Sequence, residues 1–253
     1  MKDLSISIVA YNNEEDVLAA VRSVEEHTPS FVSKDIYVVD NGTKKNGLSE
    51  ALSGFPDVTY IHTGKNIGFG AGHNRVLELL DSKYHAIVNP DILLKKDAFT
   101  PLMDFMEKEG CGMAVPKILN DDGKLQAAYR LEPTPFDMFI RMFVKHGFKA
   151  RKDKHIMRDM DYSKPFRVPF AQGCFLLIKT ELFKELKGFD ERFFLYMEDA
   201  DLCKRVNSVD RLMYCPYVSV THRWEKGSHK SLRLFSLHVS SMIKYFRKWK
   251  YVV

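Results

Sequence analysis

The stretch Leu4-Ser5-Ile6-Ser7-Ile8-Val9-Ala10-Tyr11, closed by Asn12-Asn13 and followed by a helical run from Glu14 to Glu26, decides the fold of this chain. Apolar residues alternating with serine read as a strand. The paired asparagines end it, and Val17, Leu18, Val21 and Val24 then recur on one face of a helix. The same unit returns further along. Asp35-Ile36-Tyr37-Val38-Val39-Asp40 is a second strand ending in the turn Asn41-Gly42, and Val58-Thr59-Tyr60-Ile61 is a shorter third. A helix is expected from about Asn74 to Leu80, and Tyr84-His85-Ala86-Ile87-Val88 is a fourth strand running into Asn89-Pro90-Asp91. Strands alternating with helices predict a doubly wound α/β sheet.

In such sheets ligands bind beyond the carboxyl ends of the strands, at a switch point in strand order. Polar groups stand at those ends here: Asn12, Asp40 and Asn41, Asn89 and Asp91. Each is also compatible with an ordinary turn or helix cap, but their repeated placement points to one crevice.

With 253 residues, 45% of them hydrophobic, the chain can bury a full core as one large domain or two closely packed lobes. No apolar stretch approaches the roughly 20 residues that span a bilayer, and Met1-Lys2-Asp3-Leu4 begins no signal-peptide core, so a cytoplasmic protein is expected. Cys111, Cys174, Cys203 and Cys215 are widely spaced and read as buried thiols, not a zinc site. The net charge of +5 is uneven. Eight Lys or Arg against Glu225 make residues 222–253 +7 and leave −2 elsewhere. Leu234, Leu237, Ile243, Tyr245, Phe246 and Trp249 are interleaved with those cations. Residues 231–253 therefore read as a basic amphipathic helix, able to rest on anionic lipid at the inner membrane face or to pack on the domain.

Two further segments invite chemistry. Asn66-Ile67-Gly68-Phe69-Gly70-Ala71-Gly72-His73-Asn74 lacks the Gly-x-Gly-x-x-Gly spacing of a dinucleotide loop, and the turn after the first strand has no glycine, so nicotinamide binding is disfavoured. Such a loop still lets backbone approach a ligand and leads into a helix start that suits a pyrophosphate. Glu198, Asp199 and Asp201 directly follow Phe193-Phe194-Leu195-Tyr196-Met197. Three acids there are either a solvated helix start or a reactive cluster.

Taken in order, Ile8-Val9-Ala10-Tyr11-Asn12, Val38-Val39-Asp40-Asn41-Gly42-Thr43, the glycine-rich loop, Asn89-Pro90-Asp91, Gly173-Cys174-Phe175, Gly188-Phe189-Asp190-Glu191-Arg192-Phe193-Phe194 and Glu198-Asp199-Ala200-Asp201-Leu202 resemble a family 2 glycosyltransferase of the GT-A fold, close to bacterial rhamnosyltransferases. The resemblance covers about residues 4–230. It implies a Rossmann-like, doubly wound α/β fold with a mixed central sheet, residues 1–95 forming a nucleotide-sugar half and 96–230 an acceptor half.

The resemblance also implies roles. Ala10, Tyr11, Asn12, Asp40 and Asn41 would hold the nucleotide base, and Asn66, Gly68, Phe69, Asn74 and Asn89 its ribose and diphosphate side. Asp91 would be the main carboxylate ligand of Mg²⁺ or Mn²⁺, with His222 a second, and Asn89 standing where the family usually has an acid. Arg223, Lys226 and Lys230 could neutralise the departing diphosphate. Gly173 and Cys174 would lie on the acceptor side, with Asp199 as base and Glu198 and Asp201 binding hydroxyls and raising its proton affinity. On an ideal helix Glu198 and Asp201 share a face and Asp199 points about 100° away.

The function implied is an inverting, metal-dependent transfer of L-rhamnose from dTDP-rhamnose to a bacterial surface polysaccharide or lipid-linked glycan. Rivals are the same fold using a UDP-hexose, or a catalytically silent nucleotide-sugar binder that assists an assembly. Phe136 to Phe170 carries nine Lys or Arg against four acids, with Phe139, Phe143 and Phe148 among them. It reads as an acceptor-side loop or a solvated insertion. No nucleic-acid motif accompanies these basic stretches. Acceptor, linkage and oligomeric state have no signature in the sequence.

Overall fold

The computed structural model describes residues 1–44, 47–144, 146–223 and 232–251. β1 (Lys2–Ala10) is buried on both faces from Leu4 onward, as expected of a central parallel strand. α1 (Glu14–His27) opens with Glu14, Glu15 and Asp16, where the helix dipole favours acids, and buries Val17, Ala20, Val21 and Val24. There follow β2 (Lys34–Asp40), α2 (Leu48–Leu52), β3 (Val58–His62), α3 (Phe69–Asn74), β4 (Ser82–Val88), β5 (Ile92–Leu93), α4 (Phe99–Glu109) and β6 (Met113–Leu119). Then come β7 (Tyr129–Arg130), α5 (Pro135–Phe143), α6 (Lys149–His155), β8 (Phe166–Arg167), β9 (Phe170–Ala171), β10 (Phe175–Lys179), α7 (Thr180–Glu185), α8 (Glu198–Val209), β11 (Leu212–His222) and α9 (Leu232–Lys248).

Among the described residues the central sheet runs β3-β2-β1-β4-β10-β6-β11-β5, with β8 beside β11. β3, β2, β1 and β4 are parallel, β10 enters antiparallel between β4 and β6, and β11 is parallel to β6. The sheet is therefore mixed. Its order reverses at β1, which has β2 on one side and β4 on the other, and this is the switch point that makes a crevice. Because β10 runs against its neighbours, its first residues reach the same edge as the last residues of β4, with Phe175 opposite Val88. The nucleotide-side and acceptor-side halves expected from the sequence thus share one continuous sheet.

The expected helix from Asn74 to Leu80 is replaced by α3, which begins inside the glycine-rich loop, and a short 3₁₀ turn over Leu77–Leu79. Packing explains the shift. A Cβ on Gly72 would stand 2.9 Å from both methyls of Val9, so glycine lets α3 lie directly on β1. Gly68 sits at φ +95, where a Cβ would meet the Phe194 carbonyl at 2.4 Å. That carbonyl also accepts the Phe69 N–H at 3.1 Å, so this amide at the start of α3 faces protein, not an anion.

A polar chain crosses the core under α3. His73 Nδ1 meets Ser7 Oγ at 2.7 Å, Ser7 meets His85 Nε2 at 2.9 Å, and His85 Nδ1 meets Ser5 Oγ at 2.8 Å. Burial pushes both imidazoles down, His85 to about 3, so the chain is uncharged. The four cysteines are buried and free. No helix among the described residues is long and apolar enough to cross a membrane. α9 packs its apolar stripe on the domain, burying Tyr245 and Phe246. Lys244, exposed, and Lys248, partly buried, bond the Arg192 carbonyl and the Asp190 carboxylate, both at 2.7 Å.

Candidate active site

β1 and β2 end side by side, Ala10 opposite Asp40. Just beyond them Tyr11, Asn41, Asn66, Gly68 and Phe69, all expected on the nucleotide side, wall one cavity of about 380 Å³. Asn41 Nδ2 donates to the Gly68 carbonyl at 3.0 Å, and Thr63 Oγ1 donates to Asn41 Oδ1 at 3.1 Å, so this wall is held from both sides. Asn66 Oδ1 accepts the Gly68 N–H at 3.0 Å. Arg233, Leu234 and Leu237 of α9 close the cavity, a contribution the sequence did not announce.

Other expected residues act at one remove. Ala10 is buried, and its carbonyl accepts the Asn41 N–H at 2.9 Å. Asp40 is fully buried, with Oδ1 accepting the Gly42 N–H at 2.7 Å and Oδ2 the Tyr60 hydroxyl at 2.8 Å. It shapes the turn. Asn12 stands exposed in the left-handed region at φ 55 and does not line this cavity. Asn74 is turned away from the nucleotide side. Its amide exchanges two 2.8 Å bonds with the backbone of Phe189 and reaches Glu191 at 3.0 Å, clamping α3 to the loop before α8.

The second cluster forms where β4 and β11 end and β5 begins. His222 pairs with Ile92 across the β5–β11 ladder, which brings its ring to Asp91, with Nε2 3.2 Å from Asp91 Oδ2. Gln126 Nε2 donates to Asn120 Oδ1 at 3.0 Å, which turns Gln126 Oε1 towards His222 Nδ1 at 2.7 Å. Nδ1 therefore carries a proton, and Nε2 presents its other face to Asp91. Burial depresses the proton affinity of His222, but Asp91 and Cys174 outweigh it and raise the pKa to about 10.

Asn89 Oδ1 and Asp91 Oδ1 are enclosed without a hydrogen-bond partner among the described residues, and His222 Nε2 faces Asp91 Oδ2 as an ion-pair contact at 3.2 Å without hydrogen-bond geometry. Two ligands at right angles on a cation at about 2.1 Å stand about 3 Å apart, close to the Asp91–His222 spacing. The residues fit a hard divalent ion. Among the described residues no group of three His, Cys, Asp or Glu could hold one alone, so the remaining ligands must come from substrate or water. Arg223 donates its N–H to the Asp91 carbonyl at 2.9 Å; Lys226 and Lys230 lie outside the described residues.

The third cluster opens α8. Tyr196 and Met197, neither a glycine, both adopt φ 69, a conformation costing about 1–3 kcal/mol each. The Ser241 hydroxyl of α9 donates to the Leu195 carbonyl at 2.8 Å, and the His238 ring lies 4.5 Å from that of Tyr196, so α9 holds the strained turn. From it Glu198 and Asp199 both line a cavity of about 360 Å³ with Arg130 and Arg141. Asp199 Oδ2 accepts the Gly173 N–H at 3.1 Å, and Oδ1 accepts the Ala200 N–H at 2.8 Å. Glu198 Oε2 is enclosed and has no hydrogen-bond partner among the described residues.

Burial raises the proton affinity of both carboxyls. The neighbouring Asp199 charge adds to the rise for Glu198, while two N–H donors and Arg130 restrain it for Asp199. Asp201, expected beside them, is not in the cavity: it is fully buried and bonded to Arg205, Lys248 and Trp249. The ideal-helix argument that paired Glu198 with Asp201 fails because the cavity lies over the helix start, towards which side chains of the first turn tilt.

The clusters adjoin. Gly173 binds Asp199 through its N–H, and the Cys174 carbonyl accepts the Asn89 N–H at 2.8 Å, so two consecutive residues separate the carboxylates from the Asp91–His222 pair. Gln126, Arg130 and Arg141 were missed by the sequence reading, none belonging to a motif it singled out; Leu234 and Leu237 were read as part of an amphipathic helix, but not as walls of a cavity.

Residues 5–187 match the family model described as Glycosyl transferase family 2. The chain belongs to glycosyl transferase family 2. It is a nucleotide-sugar glycosyltransferase with a GT-A-like fold. Among curated family members it is 26% identical over 225 residues to N-acetylglucosaminyl-diphospho-decaprenol L-rhamnosyltransferase of Mycobacterium tuberculosis, covering 82% of this chain and 73% of that one. Rhamnosyltransferase WbbL of Escherichia coli is 26% identical over 79% of this chain and 78% of its own. The low-salt glycan biosynthesis hexosyltransferase Agl10 of Haloferax volcanii is 26% identical over 88% and 67%. Of solved structures, GalNAc-T7 with UDP, GalNAc and Mn²⁺ superposes with a TM-score of 0.71 at 17% identity, covering 98% of this chain and 48% of its own. This family 2 chain thus spans about half the length of that structure.

Proposed function

We propose that the chain transfers L-rhamnose, with inversion, from dTDP-rhamnose to a hydroxyl of a lipid-linked glycan in bacterial surface polysaccharide synthesis. The observation that carries this reading is the placement of Asp199 and the Asp91–His222 pair on either side of Gly173-Cys174. Rhamnosyltransferases among the relatives support the sugar.

Tyr11, Asn41, Asn66 and Gly68 receive the nucleotide, while Asp91 and His222, with Asn89 alongside, hold a Mg²⁺ or Mn²⁺ ion. When bound, that cation supplies positive charge to the diphosphate. Asp199 accepts the proton of the acceptor hydroxyl as its oxygen bonds the anomeric carbon and the carbon–diphosphate bond breaks. The Gly173 and Ala200 N–H donors and Arg130 favour the ionised form of Asp199, and the Asp199 charge in turn favours a proton on Glu198.

The test is a panel of nucleotide sugars read by Mn²⁺-dependent thermal stabilisation of the full chain, since binding to the folded state raises its melting temperature. dTDP-rhamnose is expected to give the largest shift, abolished in Asp91→Ala. A larger shift with a UDP-hexose would overturn the rhamnosyl donor and move the chain towards hexosyl transfer, the activity named for Agl10. No shift with any donor would leave the silent-binder reading without a ligand as well.

A further inference from the structure

Beside the carboxylate cavity lies a second one, of about 350 Å³, between β7, α5 and α6. Arg130, Arg141, Arg151 and Lys152 line it with a single carboxylate, Asp137. That carboxylate is already committed. Arg151 Nε donates to its Oδ1 at 2.6 Å, and the Thr134 hydroxyl donates to its Oδ2 at 2.5 Å. Among the described residues neither Arg130 nor Arg141 makes an ion pair. Arg130 Nε is enclosed without a hydrogen-bond partner, its guanidinium 6.0 Å over the Phe170 ring, and Arg141 reaches solvent at the mouth. Asp199 is the carboxylate whose charge acts on both arginines, but it makes an ion pair with neither, and an enclosed guanidinium without a bonded anion is costly unless one joins it.

Position adds a second argument. Arg130, Arg141 and His155 border both this cavity and the one holding Glu198 and Asp199. An anion between the arginines would carry its substituent towards Asp199. α5 turns Ile140 and Arg141 to the cavity and leaves Phe136, Phe139 and Phe143 exposed on an adjacent face. Phe148 stacks edge-on against Phe136, and Phe235 of α9 against Phe143, extending this into one aromatic surface. Cations beside exposed aromatics match a phosphorylated lipid, whose charged head and hydrocarbon chain are covalently joined.

We propose that this cavity holds the diphosphate of a lipid-linked acceptor, with Arg130 and Arg141 as its counter-ions and the α5 phenylalanines against its hydrocarbon chain. The inference rests on the transferase reading, in which Asp199 faces the acceptor. It gives the acceptor three attachment points: hydrocarbon on Phe139 and Phe143, diphosphate on the arginines, hydroxyl at Asp199. A nucleoside diphosphate is held elsewhere, in the cavity of Tyr11 and Asn41, and needs the cation that the arginines do not.

That difference supplies the test. Farnesyl diphosphate, farnesol and inorganic pyrophosphate are titrated calorimetrically into the full-length chain in EDTA, with thymidine diphosphate plus Mn²⁺ as a separate arm. Farnesyl diphosphate is expected to bind without metal, at least about tenfold more tightly than farnesol or pyrophosphate, and Arg141→Gln to weaken it by about tenfold or more. Arg130→Gln should weaken it further; if that variant does not fold, Arg141→Gln, at the exposed mouth, carries the test with its melting temperature as control. Equal affinity in Arg141→Gln would overturn the site, and pyrophosphate binding as tightly as farnesyl diphosphate would overturn its lipid occupant. Failure of thymidine diphosphate and Mn²⁺ to bind, with farnesyl diphosphate still bound, would sink the transferase reading and not the cavity.

Discussion

The indole N–H of Trp249 donates to Asp201 Oδ1 at 3.0 Å, joining the end of the chain to the first turn of α8. Lys248 reaches the same oxygen at 2.6 Å and Arg205 takes the other at 2.8 Å. Asp201 is thus a buried structural acid one turn from two that face a cavity. Asp201→Asn should cost about 3 kcal/mol, because it leaves the Arg205 guanidinium without its carboxylate and takes one of two from Lys248, which keeps Asp190. Thermal unfolding should register a fall of roughly 6–12 °C, with kcat of the folded protein in the cold close to wild type. A large loss of kcat without a loss of stability would return Asp201 to the chemistry.

Asp199→Asn should behave in the opposite way. Removing the proton acceptor is expected to lower kcat by about 10²–10⁴ while leaving nucleotide binding intact. Glu198→Gln, which mimics a carboxyl that keeps its proton, should lose less than about tenfold. Steady-state kinetics of both variants against one acceptor separate the roles, and a reversed order would assign the base to Glu198.

Stability should decline towards both ends of the pH range. Glu198 binds its proton more tightly folded than unfolded, so its contribution is full below the ordinary glutamate value of 4.5 and is lost as pH rises towards the raised one. His73 and His85 are held neutral; below their ordinary value of 6.5 the unfolded chain takes up protons that the folded one refuses, and stability falls with pH. Melting temperatures measured across pH should fall on the alkaline side in wild type and fall less in Glu198→Gln. An unchanged alkaline slope in the variant would refute the first assignment.

Gln126 touches His222 and neither cavity's ligand. Gln126→Ala frees the ring to rotate, and Mn²⁺ affinity should weaken by about 10- to 100-fold, measured by calorimetry in the presence of nucleoside diphosphate. Gln126→Glu, which keeps an acceptor for the Nδ1 proton, should restore much of it.

The edge of the sheet was legible because parallel strands must end where their apolar runs end, and Ala10, Asp40 and Val88 do so beside polar residues. Asp91 and His222, far apart in the chain and paired in the sequence only by resemblance, are neighbours because the β5–β11 ladder brings them together. What failed depended on tertiary packing. Asn74 reads as a ligand contact in the sequence, yet its amide has the geometry to grip the Phe189 backbone. The α3 boundary moved because Val9 needed a glycine above it. Arg130 stands on a two-residue strand, β7, with no pattern of its own, and only its pairing with β9 brings it beside Asp199. The final helix looked separable because its charge pattern could not reveal that one of its lysines, Lys248, is the partner of both Asp190 and Asp201.

Leu234 borders both the nucleotide cavity and the carboxylate cavity. One side chain on α9 therefore forms part of two walls, and donor preference and acceptor preference are not independently adjustable from that helix. Enlarging Leu234 to exclude a bulky acceptor would also narrow the space for the nucleotide. A re-engineered enzyme with a new acceptor and its old donor would have to be altered from α5 and α6, the elements that touch one cavity system and not the other.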